Sequence, residues 1–193
     1  MEPKVIIFDF FGVISSEIAI VWLGKHFEKD EAARLKQEYC GPVDRGDMDE
    51  NRFFVELGQR TSVPPEIIRQ EWLDLARIDR PTVDYIGQLK GKYRLAVLSD
   101  APSIFIREII AINKLADLFD AIVVSSEVHT TKADADIFKL MLDKFRISGA
   151  EAIMIDDNPK NIEIAKSVGI QGFIFTSLPQ LKNDLSAAGI FVA

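Results

Sequence analysis

The chain has 193 residues, enough for one α/β core with a modest insertion and hardly enough for two large domains. Its net charge of -7, with 27% charged and 48% hydrophobic residues, excludes a broad basic surface for nucleic acid or an anionic membrane, so any phosphate must be held by a local site. The one cysteine, Cys40, excludes an intramolecular disulfide and fits a reducing, cytoplasmic setting.

Met1-Glu2-Pro3-Lys4 leads straight into Val5-Ile6-Ile7-Phe8, an apolar run too short for a signal peptide or a membrane span. Without polar alternation it reads as a strand buried on both faces, as in a parallel sheet covered by helices. It ends at Asp9-Phe10-Phe11-Gly12.

Residues 15–85 then read as helices throughout: Ser16 to Phe27, Glu28 to Tyr39, Asp49 to Arg60, and one opened by Pro64-Pro65. Cys40 before Gly41-Pro42 marks an expected helix end and reads as a structural thiol. Trp22, Phe53, Phe54 and Trp72 fall at helical spacings and are expected to form the core of this small bundle. In the turn Asp44-Arg45-Gly46-Asp47, Arg45 and Asp47 are the better candidates to touch a substrate. Roughly 85 residues separate the first two strands, where a βαβ unit needs about thirty, so residues 15–85 are expected to be an inserted helical cap on a core of 1–14 and 86–193.

Strands alternate with helices thereafter. Leu95-Ala96-Val97-Leu98 ends in Ser99-Asp100 and precedes a helix from Ser103 to Asn113. Ala121-Ile122-Val123-Val124 is followed by a loop carrying Lys132 and by a helix to Phe145 that Asp134 can cap. Ala152-Ile153-Met154-Ile155 ends in Asp156-Asp157, and Pro159 opens a helix to Val168 that Gly169 closes. Phe173-Ile174-Phe175 is the last strand of the series, Leu178 to Ala188 a last helix, and Ile190-Phe191-Val192 either a short strand or an oligomer contact. The pattern predicts a doubly wound parallel α/β sheet with right-handed crossovers.

In such a sheet all strand carboxyl ends share one edge, and ligands bind in the crevice there. Asp9, Asp100, Asp156 and Asp157 therefore gather in one place, where carboxylates raise one another's pKa unless a cation sits among them. Oxygen donors beside phosphate suit Mg²⁺. Lys132 lies on the same edge and can neutralise a carboxylate or a phosphate.

The ordered set Asp9-Phe10-Phe11-Gly12-Val13, Leu98-Ser99-Asp100, Lys132-Ala133-Asp134 and Ile155-Asp156-Asp157-Asn158-Pro159 resembles the four motifs of the haloacid dehalogenase superfamily, and the 15–85 insert is similar to its small helical cap. The resemblance implies an aspartyl-phosphate at Asp9 and Mg²⁺ held by Asp9, the Phe11 backbone carbonyl and Asp157, with Asp156 direct or through water. It implies phosphoryl binding by Ser99, with Asp100 beside it, and charge balance by Lys132. A small phosphate ester is the expected substrate, nucleic acid and membrane are not expected partners, and a monomer or dimer suits the size.

One position departs from the pattern. Phosphatases of the family carry a second aspartate two residues after the nucleophile, which protonates the leaving alkoxide and then activates water, and here that residue is Phe11. Three readings follow: a Mg²⁺ phosphohydrolase in which another group, Asp100 or His129, supplies the proton; a metal-independent dehalogenase-like hydrolase, whose halide leaves without a proton; or a catalytically impaired binding or regulatory protein. A receiver-like fold would need an acidic pair after the first strand, and a dinucleotide site a Gly-rich turn after Phe8; both are missing.

Overall fold

Five short apolar runs form one parallel sheet in the computed structural model, which describes residues 2–192. The strands are β1 (Val5–Phe8), β2 (Arg94–Ser99), β3 (Ala121–Val124), β4 (Ala152–Asp156) and β5 (Gln171–Ile174), in the order β3-β2-β1-β4-β5. Connections step outward from β1 to β2 and β3, then return to β4 on its other side, which is the topological switch that opens a crevice at the strand ends. Phe8 pairs with Val97 of β2 and with Ile155 of β4, so Asp9 emerges beside Asp156.

Alternate side chains of β1 enter two separate cores, as the two-residue period of a strand requires. Ile6 and Phe8 face a cluster with Val97, Ile155 and the apolar sides of α6 (Arg80–Leu89), α7 (Ser103–Ile112) and α11 (Leu178–Ala187). Val5 and Ile7 face Phe138 and Met141 of α9 (Ala135–Phe145) and Ile162 and Ala165 of α10 (Pro159–Ser167). The doubly wound sheet is thus covered on both faces, and each fully buried Ile or Phe contributes roughly 1.5–3 kcal/mol.

Between Ser15 and Ile78, which meet in an antiparallel bridge, the chain makes α1 (Ala19–His26), α2 (Lys29–Leu35), α3 (Gly41–Arg45), α4 (Glu50–Thr61) and α5 (Pro65–Leu75). The helix end expected at Cys40 is replaced by a π-helical turn, Lys36–Cys40, that runs on into α3. This wider turn stands just before Pro42, whose missing N–H a regular α-helical ladder would not accommodate. Asp49 caps α4 through the Asn51 and Arg52 N–H groups at 2.9 and 3.2 Å. Trp72 packs against Phe53 and Phe54 with ring centroids 5.2 and 5.6 Å away, and also against Phe105 of α7 at 6.0 Å, so the bundle's core continues into the sheet domain. The Glu50 carboxylate, buried at the start of α4, accepts the Phe105 N–H at 3.0 Å.

Three expectations change. Asp134 stands at the start of α9 but makes no capping bond; its carboxylate lies 3.6 Å from Arg45 instead. β5 is half exposed rather than buried on both faces, unlike β3, the edge strand on the other side, which is covered. Residues 190–192 form no strand: Ile190 is buried and Phe191 is exposed. Among the described residues no helix is long and apolar enough to cross a membrane.

Candidate active site

Asp9 follows β1 directly, and its buried carboxylate is held on both oxygens. Oδ1 accepts the Phe10 N–H at 2.7 Å and Oδ2 lies 2.7 Å from Lys132 Nζ. The same ammonium reaches Asp156 Oδ2 at 2.7 Å, and Lys132 is only 2% exposed. Asp156 accepts further bonds from the Asn158 N–H at 2.8 Å and from Asn161 Nδ2 at 3.0 Å. The Lys132 backbone N–H is held in turn by the Asp100 carboxylate at 3.0 Å. A buried ion left without its partner costs several kcal/mol, so these contacts fix the site's geometry as one unit.

The charges are unbalanced nonetheless. Burial pushes the Asp9 carboxyl well above the usual range; Lys132 opposes this, while Asp156 and Asp157 add to it. For Lys132, burial alone would lower the pKa, but Asp9, Asp156 and Asp100 together raise it and keep the ammonium charged. Asp157 is raised by burial first and then by Glu17 and Asp156.

Asp9, Asp156 and Asp157 each place an oxygen within 4.8 Å of the others, an all-oxygen donor set that suits a hard divalent cation. Among the described residues no backbone N–H is bonded to the Phe11 carbonyl, and Phe11 lines the cavity with Asp9 and Asp157. Gly12 brings the first loop against the last: it adopts φ +87°, and a β-carbon there would lie 2.4 Å from Asp157 Oδ2.

A cavity of about 540 Å³ opens over this cluster. Its floor includes Asp9, Phe11, Asp100, Lys132 and Asp157, and its opposite wall comes from the insert, with Glu17, Ile18, Lys36, Cys40, Val43, Asp44 and Trp72. Of the residues expected at the site, Ser99 and Asp156 are fully buried and not part of the wall. The Ser99 hydroxyl has no hydrogen-bond partner, an orphaned group at the end of β2. Trp72 lines the cavity as well as packing the bundle, whereas Trp22, Phe53 and Phe54 only pack.

Arg45, Asp47 and His129 are not on the wall. Arg45 lies 3.5 Å from Asp47 and 3.6 Å from Asp134, and His129 ends α8 (Ser125–Val128) in a left-handed conformation against Gly46. Cys40 borders the cavity, but burial pushes its thiol pKa well up, which disfavours the thiolate a nucleophile needs.

Residues that sequence reasoning passed over are Asn161, which sits one turn into α10 and reaches back to Asp156, and Asp44, Glu17 and Lys36 on the insert. The Asn161 signal was legible in principle, since a side chain in the first turn of a helix after a strand can face that strand's end. For Asp44 the sequence marks the turn but not its orientation, and the packing of α3 brings Asp44 to the cavity.

A family model described as haloacid dehalogenase-like hydrolase matches residues 3–169. The chain is 25% identical over 177 residues to a sesquiterpene phosphatase of Aspergillus oryzae, covering 90% of each chain. It is 26% identical over 190 residues to a D-ribitol-5-phosphate phosphatase of Bacteroides thetaiotaomicron, covering 88% of this chain and 90% of the relative. A HAD family enzyme from Bacteroides thetaiotaomicron, solved with magnesium and inorganic phosphate, superposes with a TM-score of 0.77 at 20% identity, over 93% of this chain and 98% of that one.

Proposed function

The chain belongs to the haloacid dehalogenase-like hydrolase family, and from that premise we propose that it is a Mg²⁺-dependent phosphohydrolase of small phosphate esters, working through an aspartyl-phosphate at Asp9. The observation that carries this reading is the placement of the Asp9 carboxylate at the cavity floor, 2.7 Å from Lys132 and within 4.8 Å of oxygens of both Asp156 and Asp157. The names of the two curated relatives, both phosphatases, support the same reaction class.

Asp9, Asp157 and the Phe11 carbonyl would hold the cation, with Asp156 beside them. Bound Mg²⁺ supplies neutralisation of phosphoryl charge. Asp9 attacks phosphorus, and Lys132 both orients that carboxylate and balances the charge that builds on the phosphoryl oxygens. Backbone N–H groups at the end of β2 would receive those oxygens, with Asp100 holding the Lys132 loop. The orphaned Ser99 hydroxyl lies behind the wall and would join them only by a local shift of the loop after β2. The helices between Ser15 and Ile78, most of the expected 15–85 insert, act as the cap, while α6, expected to begin inside it, packs on the sheet with the core. The cavity they enclose suits a small molecule rather than a protein surface.

Phe11 on the cavity floor favours one rival, a metal-independent dehalogenase-like reaction whose leaving halide needs no proton. Hydrolysis of p-nitrophenyl phosphate separates the two. Turnover that requires Mg²⁺, stops with chelator and vanishes in Asp9→Asn supports the phosphohydrolase. No turnover with Mg²⁺ bound overturns it, and release of halide from a 2-haloacid then supports the rival.

A further inference from the structure

Attack by Asp9 on phosphorus is in line, so the departing oxygen points away from Asp9 and toward the insert wall. A proton donor must reach that oxygen. The residue two after the nucleophile does so in the family's phosphatases, but here it is Phe11, which has no proton to give, and the insert lines the same space. The carboxylates around the cavity are nearly all engaged. Asp156 is bonded to Lys132 and Asn161, Asp100 holds the Lys132 N–H, and Glu17 is paired with Lys36 at 3.2 Å; Asp157 has no such bond but stands among the oxygens expected to hold the cation. Asp44 differs: it borders the cavity, and among the described residues its carboxyl group has no hydrogen bond or ion pair.

Its backbone, by contrast, is fixed. Ser125 Oγ donates to the Asp44 carbonyl, Arg45 lies 3.6 Å from Asp134, and a β-carbon on Gly46 would meet the Ser126 carbonyl at 2.5 Å. α3 is therefore the part of the insert that is fastened to the core beside the site, which gives a catalytic acid the positional constraint it needs.

We propose that Asp44 is the general acid and base of this enzyme, supplying from the insert the proton transfer that Phe11 cannot; the proposal rests on the phosphohydrolase reading above. In the first half-reaction the Asp9–phosphorus bond forms as the ester P–O bond breaks, and the Asp44 proton passes to the departing alkoxide to give the alcohol. In the second, water enters where the alcohol left and gives a proton to the Asp44 carboxylate as it attacks phosphorus. The acyl P–O bond breaks, phosphate leaves, and Asp9 is restored as a carboxylate with Asp44 protonated again.

The surroundings fit a carboxyl that begins the cycle protonated. Burial pushes the Asp44 pKa well above the usual range, Asp100 and Glu17 push it further, and Lys36 and Lys132 oppose them. Cys40, on the turn before α3, is the other titratable group close to it, and Arg45 lies next to it on its own element. Because the first half-reaction needs the acid form, kcat/KM for a poor leaving group falls as pH rises through this raised pKa.

The experiment compares Asp44→Asn with wild type, both with Mg²⁺, on p-nitrophenyl phosphate and benzyl phosphate. The phenolate leaves with little help and the benzyl alkoxide does not. The expected result is a loss of ~10²–10⁴-fold in kcat/KM on benzyl phosphate, less than about 10-fold in kcat/KM on p-nitrophenyl phosphate, and disappearance of the alkaline fall for benzyl phosphate. Meanwhile kcat, which includes the shared hydrolysis of the aspartyl-phosphate, falls on both. The ratio between substrates is read in one preparation, so partial misfolding cancels. Equal losses of kcat/KM on both substrates, or no loss on either, overturn the role of Asp44 while wild-type turnover leaves the phosphohydrolase standing. Absence of Mg²⁺-dependent turnover in the wild type overturns both.

Discussion

Gly12 and Asp157 are packed so closely that a β-carbon on Gly12 would stand 2.4 Å from Asp157 Oδ2. The contact joins the loop after β1 to the loop after β4, and Gly12 can make it only at φ +87°, where other residues are strained. Gly12→Ala should lower stability by about 1–2 kcal/mol from backbone strain. It should also push the Asp157 carboxylate aside and weaken Mg²⁺ binding by ~10–100-fold, the range for disturbed ligand support. Thermal unfolding reads the first effect and calorimetric Mg²⁺ titration the second; unchanged Mg²⁺ affinity would show that Asp157 is not a ligand.

Lys132 is the only ammonium touching Asp9 and Asp156 among the described residues. Lys132→Met leaves two buried carboxylates without it and should cost about 3–5 kcal/mol in metal-free protein. Adding Mg²⁺ should recover part of that loss, because a second cation serves the same carboxylates. Urea unfolding with and without Mg²⁺ measures both; a variant as stable as wild type would mean that the lysine contributes no net stabilisation.

Asn161 bonds both oxygens of Asp156, at 3.0 and 3.1 Å. Asn161→Ala should therefore reduce Mg²⁺ affinity ~10–100-fold, by freeing a carboxylate that supports the site, at a folding cost of about 1 kcal/mol. Calorimetric titration decides it, and an unaltered dissociation constant would reduce Asn161 to a helix-start residue.

Metal and pH should act together on stability. Asp9, Asp44, Asp100 and Asp157 all have pKa values raised by burial above their ordinary range. A carboxyl raised in the folded state stabilises it fully below the unfolded value and loses that stabilisation as pH rises through the folded value. Metal-free protein should thus lose Tm as pH rises from mildly acidic to neutral. Saturating Mg²⁺ should restore it, by about 2.7 kcal/mol at a hundredfold excess over Kd, and the increment should shrink in acid and in Asp9→Asn. A Mg²⁺ shift independent of pH would place the cation elsewhere.

The interface between insert and core should behave as core. Trp72 joins Phe53, Phe54 and Phe105, so Trp72→Ala removes packing from both sides and should cost about 3–5 kcal/mol, measured as a drop in Tm shared by far- and near-ultraviolet circular dichroism. Two separate transitions would mean that the insert unfolds by itself.

What was legible in the chain followed from physics that acts locally. Runs such as Val5–Phe8 and Ala152–Ile155 are too short and too uniformly apolar for anything but a strand covered on both faces, and once strands are parallel their terminal aspartates must share an edge. The exposure of β5 was not legible, because how far helices cover a strand is set by where they pack and not by Phe173 or Ile174. The π-turn at Lys36–Cys40 was misread for a related reason: Gly41-Pro42 signals a helix end, and only an extra residue absorbed in a wider turn lets the chain continue past it. Asp44 and Asn161 were hidden because a lone polar residue on a helix has the same local pattern whether it meets solvent or a cavity.

The central position of β1 has a consequence for the order in which the molecule opens. β1 is hydrogen-bonded to β2 on one side and β4 on the other, so its amides exchange with solvent only when the sheet itself comes apart. The helices between Ser15 and Ile78 lie outside that ladder and can open at lower free energy. Amide protection should grade downward from the strand that carries Asp9 to the segment that carries Asp44. The carboxylate that bonds to phosphorus is then rooted in the slowest-exchanging part of the protein, and the wall facing the departing group belongs to a part that breathes faster.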